Sequence, residues 1–230
     1  MKPAPAEKIG IGRSADVFAY GEGRVLRRYR EPRDTEREVA AMELARRHGF
    51  PAPAARAVNA TDIVMERLEG RTMLADLLQR PWLIARHAST LAELHERLHA
   101  IPAPGWLPAP VGEGDAVLHL DLHPENVILT ARGPAVIDWP NAARGPEAAD
   151  VAHTWLVLAC SLPPEGTVRR ALSLAGRRLF LALFLGHFER ASVAAWLGSA
   201  GALRLGHRNL PANELAAIER LLEREGAVPR

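Results

Sequence analysis

Three side chains near the middle of the chain, Asp121, Asn126 and Asp138, have the types and spacing for phosphoryl-transfer chemistry. Asp121 and Asn126 stand five residues apart on a loop that Pro124 makes irregular, and Asp138 lies twelve residues beyond Asn126. Two short β-type runs, 127–129 and 135–137, flank the turn sequence Thr-Ala-Arg-Gly-Pro and read as a hairpin with Asp138 at its exit. Such a hairpin folds Asp138 back toward Asn126. A carboxylate and an amide oxygen are hard ligands suited to Mg²⁺, which leaves Asp121 to accept a proton from an alcohol. Transfer of a phosphoryl group from ATP requires this division of labour: metal charge on the phosphates, a positioned hydroxyl and little covalent chemistry from the protein.

The elements that must position these groups are legible as patterns. Residues 9–20 are apolar with glycines at 10 and 12, Gly-Glu-Gly at 21–23 is a turn signal, and 25–30 is the return strand. A helix follows from Asp34, its expected N-cap, with Glu36 and Glu38 in the first turns and Gly49 then Pro51 stopping it. Residues 62–68 form a short apolar strand. Residues 82–99 place Ile84, His87, Leu91, Leu94 and Leu98 on one stripe of an amphipathic helix. Residues 146–230 read as three or four helices, the last over 213–225 with Asn213 as its N-cap. His95 and His99, one helical turn apart, are half a metal site at most, and the absence of a third ligand nearby in sequence assigns them to packing and surface roles.

Composition bounds the function classes. With 230 residues, 48% hydrophobic and 24% charged, the chain is long and apolar enough for one large domain or two small lobes with cores, which excludes a disordered or fibrous chain. Cys160 is the only cysteine, so a disulfide framework and a multi-thiolate metal site are excluded and a reducing, cytoplasmic setting is expected. The N-terminus lacks the apolar core of a signal peptide, and no charge-free stretch is long enough for a bilayer. The net charge of +2 is mixed along the chain, so neither nucleic acid nor a membrane is expected as a partner, and the oligomeric state is not legible. Only Lys2 and Lys8 are lysines; every later basic site must use arginine or histidine.

The run His119-Leu120-Asp121-Leu122-His123-Pro124-Glu125-Asn126, followed by Ile137-Asp138-Trp139, resembles the catalytic and metal motifs of the aminoglycoside phosphotransferase and choline-kinase-like enzymes, relatives of the protein kinases. The resemblance implies an α+β, bilobal protein-kinase-like fold: a small antiparallel-sheet N-lobe over 1–69 and a mostly helical C-lobe over 70–230. It implies Asp121 as catalytic base, Asn126 and Asp138 as magnesium ligands, His119 as a support of the loop and Asp150 as its structural brace. Gly10, Gly12 and Ser14 fall in a segment similar to the phosphate-covering loop, and Glu38 is similar to the helix glutamate that pairs the strand cation. Glu66 and Leu68 lie in a segment similar to the hinge, whose main chain hydrogen-bonds the adenine edge. The implied activity is ATP- and Mg²⁺-dependent transfer of the γ-phosphoryl group to a hydroxyl of a small molecule.

The sequence departs from that pattern at three places. Ala15 stands where the loop's third glycine belongs, Arg27 or else Arg28 must replace the strand lysine, and Pro140 after the metal aspartate predicts a rigid segment. Strand alternation sends Arg27 and Arg28 to opposite faces, so at most one faces the nucleotide, and Arg27 is the preferred one. Residues 151–230 carry ten arginines against six glutamates and no aspartate, a balance that favours an anionic or neutral acceptor over a polycationic one. Two rivals use the same residues. His119, Asp121 and His123, alternating on an extended strand, would make a metal-dependent hydrolase site; Ala15 and the missing lysine would suit a catalytically weak nucleotide-binding protein.

Overall fold

The computed structural model describes residues 7–12, 14–160, 167–206 and 210–227, and Arg13 of the glycine segment lies outside them. In chain order, β1 (Lys8–Ile11), β2 (Ala15–Ala19) and β3 (Arg24–Tyr29) precede α1 (Thr35–Arg47), β4 (Ala55–Asn59) and β5 (Asp62–Glu66). The short β6 (Arg71–Thr72) leads into α2 (Met73–Gln79) and, after a 3-10 turn, α3 (Ile84–His99). Then come β7 (Ala116–Leu118), β8 (Val127–Thr130), β9 (Gly133–Val136) and β10 (Ala143–Gly145). The chain closes with α4 (Glu147–Cys160), α5 (Thr167–Leu185), α6 (Arg190–Ala194), α7 (Leu197–Leu205) and α8 (Ala212–Arg224). These elements fall into two units: 1–71 with 127–142, and 72–126 with 143–230.

The first unit is built on an antiparallel sheet of order β1-β2-β3-β5-β4. Its central strands, β3 and β5, bury Leu26 and Ile63 completely, each contributing about 1.5–3 kcal/mol. Helix α1 starts as expected, with Asp34 accepting from the Arg37 amide, and it ends before Gly49, whose φ of +73° suits a residue without Cβ. The β8–β9 hairpin belongs to this unit, although the sequence reading put it with the C-lobe. Its register pairs Val127 with Val136, and the Val136 amide donates to the Pro51 carbonyl at 2.7 Å. Trp139 is fully buried edge-on against Phe50, so side chains from before and after residue 71 share one core. Gly70 makes this possible, since a Cβ there would lie 2.2 Å from the Leu129 carbonyl oxygen.

The second unit is mainly helical. Along α3, His87, Leu91, Leu94 and Leu98 are buried on the expected stripe, although the α-helix begins at Ile84 rather than at Trp82. Helix α4 is apolar around its circumference and is buried along almost its whole length, as such a helix must be. The antiparallel pair β7–β10 sets Leu118 opposite Ala143, and Val111, Leu118 and Leu120 form a cluster against which Trp196 and Leu203 pack. The final helix begins one residue before Asn213, which therefore sits inside it, and Pro211 takes the cap position: its fixed φ leads into the helix without a side-chain hydrogen bond. Among the described residues, no single helix is long and apolar enough to cross a membrane.

Candidate active site

The loop between β7 and β8 carries Asp121 and Asn126, and it is held from beneath by one carboxylate. Asp150, on α4 and with no exposure, accepts from the Leu120 amide at 2.7 Å and the His119 amide at 3.2 Å. Fixing two successive amides forces the chain into an unusual turn, and Leu120 has a φ of +54°. This breaks the extended geometry that the hydrolase reading requires, because alternate residues no longer project to one face. Within the described residues, His119, Asp121 and His123 do not form a metal-ligating set.

Asn126 binds back across the loop. Its Nδ2 donates to the Asp121 carbonyl at 2.8 Å and to the Asp121 carboxylate at 3.2 Å. With its NH₂ end committed to Asp121, Asn126 has its amide oxygen left for a hard cation, so the donor set fits Mg²⁺ at that atom. Burial alone would raise the pKa of Asp121. The hydrogen bond from His123, with the charges of His123, His153 and Arg204, overcomes that and holds the carboxyl well below its ordinary value.

Sequence reasoning missed Arg204. Its Nη1 lies 3.5 Å from Asp121 Oδ1 while Nη2 donates to Glu214 at 2.7 Å, a buried ion pair that links α7 and α8 to the loop. The surplus of arginines after residue 150 was the one available signal, and it could not single out this position.

In the first unit the structure brings together Arg27, Glu38 and Asp138. Arg27 donates to Glu38 at 3.4 Å and to Asp138 at 2.5 Å, and Glu38 also accepts from the Tyr29 hydroxyl at 2.7 Å. Burial works against the charged guanidinium, but the Asp138 and Glu38 carboxylates hold Arg27 firmly protonated. Arg28, on the opposite face of β3, instead forms a two-pronged pair with the fully buried Asp62, both contacts at 2.8 Å. Asp138 has a φ of +71° and keeps about a third of its side chain exposed, so its carboxylate is a hard donor that is partly open. The turn after it is closed by the Ala142 amide on the Trp139 carbonyl, with Pro140 at the position where its fixed φ fits.

The other expected binding residues lie elsewhere in the same unit. Gly10 pairs with Val17 across β1–β2, and Gly12 allows a close approach, since a Cβ there would meet the Ala15 carbonyl at 3.0 Å. The carbonyl of Ser14 accepts from the Arg30 amide, and Arg30 also reaches the Gly12 carbonyl and Asp16, which ties the loop down without a third glycine. At the expected hinge the Glu66 amide donates to the Ala54 carbonyl and its side chain pairs with Arg132. Its N–H is thereby engaged within the sheet, and Leu68 follows in an irregular stretch.

Known proteins resemble this chain in sequence and in fold. The phosphotransferase enzyme family matches residues 5–116 and 96–196. No curated protein matches the sequence. Among solved structures, a choline/ethanolamine kinase family protein from Mesorhizobium loti is 17% identical with a TM-score of 0.54, over 96% of this chain and 88% of that one. An ethanolamine kinase from Plasmodium vivax is 12% identical with a TM-score of 0.60, over 96% and 81%. The aminoglycoside phosphotransferase APH(2")-IIa, solved in a ternary complex with streptomycin and ATP, is 14% identical with a TM-score of 0.57, over 97% and 92%. These likenesses show the fold, which is the α+β protein-kinase-like fold that the sequence motifs imply. Because the family match runs through both units and across the loop that carries Asp121 and Asn126, the chain belongs to the phosphotransferase enzyme family.

Proposed function

We propose that the protein transfers the γ-phosphoryl group of ATP to a hydroxyl of a small molecule, with Mg²⁺. The observation that carries this reading is the state of Asp121: an ionised carboxylate, one-fifth exposed, on a loop whose amides a buried aspartate holds in place. Asp121 accepts the hydrogen bond of the acceptor hydroxyl and orients its oxygen for attack. So weak a base takes the proton late, which is compatible with the loose transition state of phosphoryl transfer. Asn126, through its amide oxygen, and Asp138, through its carboxylate, are the residues that would hold Mg²⁺, whose charge offsets that of the phosphates. Arg27, held by Glu38, supplies the fixed cation that a strand lysine supplies elsewhere. Gly10, Gly12 and Ser14 would line the phosphates, and the main chain at Glu66 and Leu68 would meet the base.

The known structures support the reading through their own ligands: one holds streptomycin with ATP, and another is an amicoumacin kinase with AMP-PNP and Ca²⁺. The acceptor here is a small molecule, for which the arginine-rich C-terminal part favours an anionic or neutral one, and the setting is cytoplasmic. An ATP-consumption screen over hydroxylated metabolites, sugars, amino alcohols and antibiotics tests the activity. In the active pairing, Asp121→Asn should abolish transfer and leave nucleotide binding intact, as read by a thermal shift with ATP and Mg²⁺. Unchanged turnover in that variant removes Asp121 from its role.

A further inference from the structure

Beneath the loop, and apart from the groups assigned to phosphoryl transfer, lies a second cluster of ligating atoms. His95 and His99 on α3 meet Asp150 on α4, and the three offer one ligand atom each within 4.8 Å of one another. All three are buried, two of them completely. The third ligand that the sequence lacked nearby is thus supplied from 51 residues beyond His99.

The hydrogen bonds fix the chemistry of His95. Thr154 has one hydroxyl proton and donates it to the Leu122 carbonyl at 2.8 Å, so its oxygen must accept from His95 Nε2 at 3.1 Å. His95 therefore carries its proton on Nε2, and Nδ1 presents a lone pair. That Nδ1 is buried, has no hydrogen-bond partner, and lies 3.5 Å from Asp150 Oδ2. Two electron-rich atoms facing one another at this distance repel unless a positive centre stands between them. Burial among Phe184, Phe188 and the His99 ring disfavours a second proton on the imidazole.

The separations from Asp150 suit a metal ion. Ligands about 2.05 Å from a tetrahedral zinc ion lie roughly 3.3 Å from each other. Asp150 Oδ2 is 3.5 Å from His95 Nδ1 and 3.0 Å from His99 Nε2. An entry route is also present: His99 forms part of the wall of an open cavity of about 440 Å³, which Glu113, Asp115 and Glu147 also line. Acidic walls raise the local concentration of cations.

We propose that His95 Nδ1, His99 Nε2 and Asp150 Oδ2 bind a first-row transition-metal dication of the zinc class, with solvent as the fourth ligand. Imidazole and carboxylate donors suit zinc and cobalt and discriminate against magnesium. Binding displaces the proton between His99 and Asp150 and leaves Asp150 able to accept from the Leu120 amide. The ion thus braces the loop and takes no part in phosphoryl transfer.

Titration of chelator-treated wild-type protein with Co²⁺ alone tests the site. A visible d–d band should saturate at one equivalent, disappear on addition of Zn²⁺ and resist roughly a thousandfold excess of Mg²⁺. Zn²⁺ alone should raise the melting temperature. His95→Gln and His99→Gln, checked for folding by circular dichroism, should each weaken Co²⁺ binding by at least about tenfold, whereas His123→Gln should not. No one-equivalent band in the wild type, or a band lost in His123→Gln and kept in His99→Gln, overturns the site. If neither histidine variant folds, X-ray absorption at the zinc edge of the wild type decides: two imidazoles and a carboxylate support the site, and another donor set overturns it.

Discussion

The two units hold their polar groups in different ways. In the first, Arg27 is positioned by other side chains: strand alternation turns it to one face of β3, and two carboxylates and the Tyr29 ring surround it. In the second, Asp121 is positioned through the main chain, because Asp150 holds the amides of the two residues before it. A side-chain triad can be altered while the backbone stays in place. A carboxylate that replaces missing backbone partners cannot be removed without releasing the loop, so stability and chemistry are more separable in the first unit than in the second.

The sharpest way to break that contrast is Asp150→Ala. It strands two buried amides and the ring nitrogen of His99, at about 1–3 kcal/mol each, so a loss of about 4 kcal/mol or more and collapse of activity are expected in denaturant unfolding and turnover assays. The pH dependence has a definite sign. Burial raises the pKa of Asp150, but its hydrogen bonds hold it well below the ordinary value. The unfolded chain therefore takes up the proton first. Stabilisation by this group is complete above about pH 5 and falls away as the pH drops below roughly 4 toward the folded pKa, and Asp150→Asn should flatten that acid limb.

Next in size is Arg27. Arg27→Met should lower turnover by about a hundredfold or more, with a stability loss near 3 kcal/mol from the buried Glu38 it leaves behind, while Arg27→Lys should stay within about tenfold of wild type. Equal losses in both variants would show that the fork, rather than the charge, matters. The smallest effect belongs to the neighbouring residue. Arg28→Met breaks the pair with Asp62 and should cost about 1–2 kcal/mol in melting experiments, with turnover unchanged, since Asn59 still donates to that carboxylate.

What could be read from the sequence followed from local pattern. The buried stripe of α3 and the opposite faces of Arg27 and Arg28 depend on periods of 3.6 and 2 that the chain displays directly, and the Asp34 cap on residue type at a helix start. The spacing of Asp121 and Asn126 carried the family resemblance. What escaped was set by distance along the chain. Arg204 meets Asp121 across 83 residues, and Asp150 meets His99 across 51, pairings that no local period encodes. The placement of the β8–β9 hairpin with the N-terminal sheet escaped for the same reason, because it depends on Pro51 receiving an amide from Val136. The return of the chain to the first unit at 127–142 could not be foreseen.

The left-handed backbone at Asp138 sets two kinds of fitness against each other at one codon. For a residue with a Cβ that conformation costs about 1–2 kcal/mol, which glycine would recover. Glycine at 138 would relieve that strain and at the same time remove the carboxylate that accepts from the buried Arg27, so the strained conformation is retained together with the ion pair it makes possible. Engineers seeking a hardier form of this enzyme should hold position 138 fixed and look for gains at other sites.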